Sequence, residues 1–447
     1  MFARTRTVHG LFAAALMGTV FHAAALAQTL TAAFPPAPRF FFRGVGVPTG
    51  AQPSSGCGHV SSDGLLVTGI EANGFMNRRM FATAAWDPPQ RTLLQFGPGL
   101  PFYPSGVMAG NGGGVVFGRW DSFTQPVFES GLSSAGGPWT LVTNLVQPAF
   151  DQVRFDGMNA DGSEFVWSGV DPATGARKAF WMLGGVVPLD LETYLPPWSG
   201  AGASLMQVTG VADFRRTCVG YRESSFGGGS EAFIVDIASG TGRIITNPYP
   251  PGPFGPTWQV TGVAVSGDGL TVAVNLLDTA LDVATFVEFS NGITSRVTLL
   301  APPSASTGGV VAINETGQVM AGFDPISLQT VTWTDAVPRT IASQCAAIGF
   351  PIAPQFTGIF VSDMSARDVL VGGGSNAAGQ GEGWIARLPL KRQRSDFNRD
   401  GVFSRPVEQA EYNAAFAAGN LSADWNYDGI LTPVDQALFA SDLAAGR

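Results

Sequence analysis

The chain repeats one pattern seven times between Pro38 and Leu390. Each copy holds a short β-forming run, a turn with Asp-Gly or a similar pair, and a second β-forming run that usually ends in glycine. The clearest copies begin at Val60, Met158, Val263 and Ala312, and weaker copies begin at Met108, Val211 and Met364. The closing glycines are Gly69, Gly118, Gly169, Gly220, Gly322 and Gly372. The period is therefore roughly 50 residues, and a unit of this size must pack against its neighbours to bury a core.

An apolar strand with an aromatic landmark follows the second β-forming run in every copy. The aromatic landmarks are Trp86, Phe128, Phe180-Trp181, Phe233, Phe286, Trp333 and Trp384. Such a period holds about four strands, which is one propeller blade. The pattern predicts an all-β fold in which residues 38–390 form a seven-bladed β-propeller. An open β-solenoid and a chain of small sandwiches are the alternatives.

The two ends of the repeat region predict how the ring closes. The last copy ends one strand short, with GEGWIARLPL at Gly381 to Leu390. An extra strand, RFFFRGVGV at Arg39 to Val47, precedes the first copy. We expect this N-terminal strand to complete the last blade, because a closed ring leaves only short sheet edges.

The units resemble the secreted repeats named for a His-Ala-Phe tripeptide, in which a G-(I/V)-(S/N)-x-D-G-x-x-V-x-G run precedes an A-F-x-W strand. The tripeptide occurs here as KAF at Lys178 to Phe180 and as EAF at Glu231 to Phe233, without the histidine. The resemblance covers nearly all of 38–390. It implies the fold and no particular activity.

Composition narrows the function classes. Charged residues make up 13% of the chain and glycine occurs 58 times, which is typical of a turn-rich β protein. The formal net charge of -9 disfavours nucleic acid and anionic membranes as partners. Cys57, Cys218 and Cys345 are widely spaced, so the sequence favours buried thiols over a disulfide framework, although one bridge among them stays open.

The N-terminus has the features of a signal peptide. Arg4 and Arg6 precede an apolar run from Leu11 to Leu26, and Ala25-Leu26-Ala27 has the small-x-small form of a cleavage site. We expect residues 1–27 to be removed and the protein to be extracellular or on the cell surface. A membrane anchor is the alternative, but no later stretch offers the ~18 apolar residues of a membrane span.

A six-residue motif near the C-terminus occurs twice, as DFNRDG from Asp396 and as DWNYDG from Asp424. Oxygen donors at alternating positions before a glycine are the pattern of an EF-hand calcium loop. In the second copy the predicted Ca²⁺ ligands are Asp424, Asn426, Asp428, Ile430, Thr432 and Asp435. In the first copy they are Asp396, Asn398, Asp400, Val402, Ser404 and Glu408, because the extra residue Arg405 puts Val407 at position twelve.

Each loop is predicted to lead into an amphipathic helix. Past the insertion the copies align at a constant offset, which pairs Glu408 with Asp435, Tyr412 with Phe439, and Phe416 with Leu443. The aromatic residues of one copy are four positions apart and share a helical face, so the two helices can bury them against each other. An ordinary Asx turn on a solvated surface is the alternative for either loop.

The arrangement resembles a dockerin, a small α-helical domain with two calcium loops that binds a cohesin domain on another protein. The resemblance covers 396–446, with 391–395 as a linker, and implies Ca²⁺ as cofactor and a cohesin-like module as partner. Dockerins commonly place small polar residues just after loop position nine. Here Arg405-Pro406 and Pro433-Val434 occupy that region.

No catalytic constellation is evident. After signal removal His59 is the one remaining histidine, and no G-x-S-x-G elbow accompanies it. Asp63, Asp161 and Asp268 are interpreted as turn residues, whereas Asp156, Asp213 and Asp363 are less explained and are placed near first-strand starts. The sequence favours a non-catalytic propeller that binds a polysaccharide or cell-surface ligand. A propeller enzyme that hydrolyses or cleaves polysaccharide is the alternative, and converging acids from two or more blades would favour it.

Overall fold

The computed structural model describes residues 41–388 with internal gaps, the longest at 246–258 and 299–308, together with residues 405–417, 423 and 432–445. The predicted signal peptide, the predicted linker and most of both predicted calcium loops lie outside the described residues. Most described residues of the repeat region lie in β-strands.

Seven four-stranded units follow one another, and we number them as blades. The first described strand is β1 (Phe41–Gly44). Blade 1 contains β2 (Pro53–Val60), β3 (Leu66–Asn73), β4 (Arg78–Ala84) and β5 (Thr92–Leu94). Blade 2 contains β6 (Phe102–Ala109), β7 (Val115–Ser122), β8 (Phe128–Ser134) and β9 (Thr140–Leu141). Blade 3 contains β10 (Asp151–Met158), β11 (Glu164–Val170), β12 (Arg177–Leu183) and β13 (Val187–Asp190). Blade 4 contains β14 (Ser204–Val211), β15 (Thr217–Ser224), β16 (Ser230–Asp236) and β17 (Thr241–Ile245). Blade 5 contains β18 (Gln259–Val265), β19 (Thr271–Leu277), β20 (Val283–Phe289) and β21 (Arg296–Thr298). Blade 6 contains β22 (Gly309–Ile313), β23 (Val319–Asp324), β24 (Gln329–Thr334) and β25 (Val337–Thr340). Blade 7 contains β26 (Phe356–Met364), β27 (Val369–Asn376) and β28 (Gly381–Arg387), together with β1.

The strands of each blade pair in chain order as antiparallel neighbours. The first strand of each of blades 2 to 7 contacts the preceding blade, and β2 of blade 1 contacts β26, β27 and β28 of blade 7. The sheets therefore form a ring, and the predicted propeller is confirmed.

The N-terminal strand closes this ring as predicted. β1 pairs with β28, from Phe41 opposite Arg387 to Gly44 opposite Trp384. Phe42 lies in the core of the blade, where its ring packs edge-on against Phe356 at 5.5 Å and stacks on Trp384 at 5.6 Å. Blade 7 thus takes its fourth strand from the opposite end of the repeat region.

Close packing explains the repeated glycine in the second strand. A Cβ added at Gly69, Gly220 or Gly372 would collide with a carbonyl oxygen of the first strand and with an aromatic ring of the third strand. These rings are Phe81, Phe233 and Trp384, two of which are predicted landmarks. Gly169 does not take this position. In blade 3 the residue that pairs with the first and third strands as these glycines do is Trp167. In blade 5 the equivalent residue is Val274.

Short helices complete the described chain. A turn of 3-10 helix covers Leu191–Tyr194, and α1 (Ile341–Ala347) packs against blade 6. The helices α2 (Arg405–Ala417) and α3 (Pro433–Ala445) form the C-terminal pair. None of the described helices is long and apolar enough to cross a membrane.

The three cysteines are buried and free, as the sequence favoured. Burial raises the pKa of the Cys345 thiol to about 12 and raises the pKa of the Cys218 thiol as well. These thiols therefore stay protonated and serve as small core residues.

Candidate functional site

Turns at one end of the ring meet around its axis. The turn between the first and second strands of blade 4 accepts a hydrogen bond from Ala160 N to Asp213 O at 3.1 Å, and its Phe214 N donates to Gly267 O at 3.0 Å. Asp268 N of blade 5 in turn donates to Glu315 O of blade 6 at 2.8 Å. Consecutive turns are thus bonded to one another, and side chains at this end of the ring converge.

The third position of these turns carries local turn chemistry. Asp63 Oδ1 accepts from Leu65 N at 3.0 Å, Asp161 Oδ1 from Ser163 N at 2.8 Å, and Asp268 Oδ1 from Leu270 N at 2.9 Å. The interpretation of these three acids as turn residues is confirmed, since each carboxylate caps its own turn.

The second position of the same turns is different. It holds Ser62, Ala160, Asp213, Gly267 and Glu315 in blades 1, 3, 4, 5 and 6, according to the strand register. Small residues fit where several turns approach one axis. Asp213 and Glu315 therefore place carboxylates where the other described turns place at most a hydroxyl.

A second polar pair lies beside this ring of turns. His59 Nδ1 is 2.5 Å from Asp363 Oδ2, which also accepts a hydrogen bond from Val60 N at 3.0 Å. His59 is the next-to-last residue of β2 and Asp363 is the next-to-last residue of β26, so their contact joins blade 1 to blade 7 where the ring closes. The equivalent residues are Gly157, Gly210, Ala264 and Ala312 in blades 3 to 6.

Asp213 brings these groups into one site. Its carboxyl interacts electrostatically with Asp363, His59 and Glu315 and faces the Ser62 hydroxyl. Blades 1, 4, 6 and 7 can meet in this way only at the axis. We call His59, Ser62, Asp213, Glu315 and Asp363 the axial cluster.

The environment shifts the acidity of Asp213 strongly. Burial raises the pKa of its carboxyl to about 7, with smaller raising contributions from Asp363 and Glu315 and lowering contributions from Ser62 and His59. A carboxyl group with this pKa can hold or release a proton near neutral pH, which is the behaviour of an acid-base or cation-binding group.

Sequence reasoning placed three acids near the starts of first strands, and this placement was wrong. Asp156 and Asp363 lie in the last third of β10 and β26, and Asp213 follows the end of β14. The cause is that these copies were read from Met158, Val211 and Met364 onward, and these residues are the last of β10, β14 and β26. Asp156 is buried beside Arg154, at 2.6 Å, and does not belong to the axial cluster. Burial raises the pKa of the Asp156 carboxyl.

The C-terminal pair of helices packs as predicted. Tyr412 stacks on Phe439 with ring centroids 3.9 Å apart and an interplanar angle of 4°. Leu443 and Ala423 complete the buried cluster, and Phe416 packs partly buried at its margin. The predicted helical faces and their offset are confirmed.

The described calcium-ligand candidates begin these two helices. Glu408 of α2 and Asp435 of α3 are both fully buried and occupy matching positions in the first turn. Asp435 Oδ2 accepts hydrogen bonds from Thr432 N at 2.8 Å and from Thr432 Oγ1 at 3.1 Å. The remaining candidates lie outside the described residues: Asp396, Asn398, Asp400, Val402, Ser404, Asp424, Asn426, Asp428 and Ile430. In the part of the chain that the structure describes, no three His, Cys, Asp or Glu side chains are grouped to hold a metal ion.

Four-stranded antiparallel sheets that follow one another around one axis define the repeat region as a β-propeller. The chain is similar to a prolyl endopeptidase of known structure, with 12% identity, a TM-score of 0.50, and coverage of 86% of this chain and 52% of that chain. This chain therefore spans about half the length of that peptidase. At such identity the likeness concerns the fold alone.

Two further solved structures match with lower TM-scores. The β-propeller domain of the Trilobed protease from Pyrococcus furiosus matches with 10% identity and a TM-score of 0.46, over 76% of this chain and 98% of that chain. A TolB protein from Agrobacterium tumefaciens matches with 16% identity and a TM-score of 0.37, over 55% of this chain and 80% of that chain. No protein-family model and no curated protein matches the chain.

Proposed function

We propose that this is a secreted calcium-binding protein whose dockerin-like C-terminal module attaches a β-propeller binding domain to a cohesin-type partner. The attachment would take place at the cell surface or in an extracellular complex. The observation that carries the proposal is the pair of buried carboxylates, Glu408 and Asp435, at matching positions of two packed helices.

Burial of these carboxylates supports a cation at each loop. A carboxylate withdrawn from water is costly unless opposite charge or several hydrogen bonds compensate it. The neighbouring loop sequences offer oxygen donors at alternating positions, which is the donor set that Ca²⁺ prefers. Glu408 and Asp435 would close the two loops at their last ligand positions. Bound calcium would place opposite charge beside these buried groups.

Two exposed valines support a partner surface on the same module. Val407 and Val434 lie one residue before the buried acids and expose 42% and 55% of their surface. Large apolar side chains that face solvent at equivalent positions are typical of a contact surface. A cohesin-type module would cover them.

Calcium titration of the full chain tests the proposal. Isothermal titration calorimetry should give two bound ions per chain. The double substitution Asp424→Ala with Asp428→Ala should remove one ion, and Asp396→Ala with Asp400→Ala should remove the other, because each pair removes two carboxylates from one loop. Calcium should also raise the melting temperature of the C-terminal module, since it binds the folded form.

The propeller provides a matched control for these variants. Asp161→Asn with Asp268→Asn alters the same Asp-Gly dipeptide in turns that lack the alternating donors, and should leave the calcium stoichiometry at two. Absence of calcium-dependent heat in the unmodified chain, or unchanged stoichiometry in both loop variants, would refute the assignment.

One observation favours a second function, the cleavage of polysaccharide by the propeller. Acids from blades 4, 6 and 7 converge in the axial cluster, and the elevated pKa of Asp213 suits a general acid. A screen of polysaccharides for new reducing ends or unsaturated products, with Asp213→Asn as the comparison, tests this function. Turnover that Asp213→Asn abolishes would support it, and equal turnover or none would leave the binding function.

A further inference from the structure

Blade 7 and blade 1 meet at a contact that we call the seam. β2 of blade 1 contacts β26, β27 and β28 of blade 7. The middle of the seam is a buried apolar cluster, to which β1, β2, β3, β27 and β28 contribute. Polar contacts lie near the start and near the end of β2, and these two sets of contacts differ in chemistry.

The contact near the start of β2 carries no charge. Ser55 Oγ donates a hydrogen bond to Gly46 O at 2.6 Å and accepts one from Gly383 N of β28 at 3.2 Å. A hydroxyl group and backbone amides keep the same charge throughout the neutral pH range. This end of the seam should therefore hold equally well at pH 6 and at pH 8.

The contact near the end of β2 contains a group that titrates. His59 Nδ1 lies 2.5 Å from Asp363 Oδ2, which also accepts a hydrogen bond from Val60 N at 3.0 Å. The side chains of His59 and Asp363 are 21% and 24% exposed, so water can exchange protons with the pair. Histidine is the side chain that ordinarily changes its charge between about pH 5 and pH 8. Because a charged pair is stronger than one with a neutral imidazole, the strength of this contact depends on pH.

The other described joints at this end of the ring use different chemistry. Backbone hydrogen bonds join blades 3 to 6: Ala160 N to Asp213 O, Phe214 N to Gly267 O, and Asp268 N to Glu315 O. Blade 6 is joined to blade 7 by Asn314 Nδ2, which donates to Asp368 Oδ1 at 3.0 Å. Among these described joints, the seam is the one in which a histidine takes part.

Acidic groups from other turns surround the same histidine. Asp213 interacts electrostatically with His59 and with Asp363, and Glu315 influences Asp213 in turn. Other charged residues of these turns have contacts of their own: Asp63 with Leu65 N, Asp368 with Asn314, Arg215 with Asp236, and Arg216 with Glu164. The charge of His59 is therefore set against Asp363, Asp213 and Glu315.

Rising pH changes two charges in this place, and both changes act in the same direction. Loss of the proton from His59 removes a positive charge from beside Asp363. Burial raises the pKa of the Asp213 carboxyl to about 7, so a negative charge appears nearby in the same interval. Stabilisation that depends on a protonated histidine, or on a protonated buried acid, is present at lower pH and is lost as pH rises.

We propose that the seam is a pH-sensitive joint, which the charged pair of His59 and Asp363 tightens in mildly acidic surroundings and which loosens when His59 becomes neutral. The apolar cluster and the Ser55 contact hold the two blades together at either pH, so the ring loosens locally and does not open. This property belongs to the propeller and does not rest on calcium-dependent docking.

Hydrogen–deuterium exchange of the full chain at pH 6 and pH 8 tests the proposal, with labelling times corrected for the intrinsic pH dependence of amide exchange. All samples contain EGTA, so that the outcome is independent of the calcium loops. Peptides of β1, β2 and β26 report on the seam, and peptides of β19 in blade 5 are the internal reference. Protection of the seam peptides should fall by about tenfold relative to β19 between pH 6 and pH 8, the factor expected when a hydrogen-bonded pair loses its charge.

Two variants remove the titrating contact. His59→Gln keeps a hydrogen-bond donor that cannot be charged, and Asp363→Asn keeps an acceptor for Val60 N without the charge. Each should lower seam protection at pH 6 toward the level of the unmodified chain at pH 8, and each should lose most of the response to pH. Circular dichroism checks the fold, and Asp363→Asn carries the test if His59→Gln is misfolded.

Ser55→Ala is the matched control, because it removes the uncharged contact of the same strand. It should lower seam protection by the same factor at both pH values and keep the response to pH. An equal change in the seam and β19 peptides of the unmodified chain would overturn the proposal. A full response to pH in both His59→Gln and Asp363→Asn, or its loss in Ser55→Ala, would overturn it as well.

Discussion

Asp213 holds a proton at a pH where an ordinary aspartic acid is ionised. Its pKa rises from 3.8 to about 7, chiefly because burial penalises the charged form. Between these two values the folded chain binds more protons at this site than the unfolded chain does. Linkage then requires stability to fall as pH rises through this window, with the full stabilisation present only below the unfolded-state pKa.

We therefore predict that Asp213→Asn flattens the pH dependence of stability. Urea unfolding at pH 5, 6, 7 and 8 should show the unmodified chain losing stability with rising pH and the variant losing less. At pH 8 the variant should be the more stable of the two, because the amide does not pay the cost of a buried charge.

Asp171→Asn serves as the comparison for this measurement. The pKa of the Asp171 carboxyl is lowered, chiefly by the hydrogen bond from Ala173 N, so its contribution is lost on acidification and not between pH 5 and pH 8. A slope in Asp213→Asn identical to that of the unmodified chain would contradict the assigned pKa.

The roles of single residues were predictable where their hydrogen bonds stay within one turn. Asp63 and Asp161 each precede glycine in a turn motif, and their hydrogen bonds stay within that turn. The axial role of Asp213 was not predicted, because its partners come from three other blades. One signal was present, since the fourth copy reads Asp-Phe at the second and third turn positions, where the first copy reads Ser-Asp.

At the scale of elements, the short strand β1 completes the sheet of blade 7. Phe42 is 4% exposed and contacts both Phe356 and Trp384. We predict that Phe42→Ala lowers the free energy of unfolding by about 3 to 5 kcal/mol, the usual cost of deleting a buried aromatic ring. Chemical denaturation followed by tryptophan fluorescence measures this change.

Phe360→Ala is the matched control in the same blade. Phe360 is a residue of β26 but is 49% exposed, so its loss should cost well under ~2 kcal/mol. Equal destabilisation by the two variants would show that β1 is not an integral part of blade 7.

Elements with strong periodic signals were predictable and their exact registers were not. The landmarks Phe180, Phe233 and Trp333 all fall in third strands, as the repeat indicated. Gly169 was grouped with the other closing glycines, but counted from the Asp-Gly turn it lies two residues too far along β11, and Trp167 takes the position of Gly69.

At the scale of the whole molecule, ring closure was predictable from counting strands. The last copy lacks one strand and the N-terminus supplies one, and β1 pairs with β28 accordingly. The axial cluster was less accessible to sequence reasoning, since it requires knowing which side of each first strand faces the axis. Matching positions in a repeat become neighbours only after the ring is built.

The pairing of β1 with β28 also fixes an order of events during biosynthesis. Phe41 emerges from the ribosome early, whereas its partner Arg387 is synthesised near the end of the propeller. The early blades can therefore begin to fold while the chain is still being synthesised, but blade 7 has no complete sheet until residue 387 has been added. Locking of the ring is therefore a late step, which follows synthesis of almost the entire propeller.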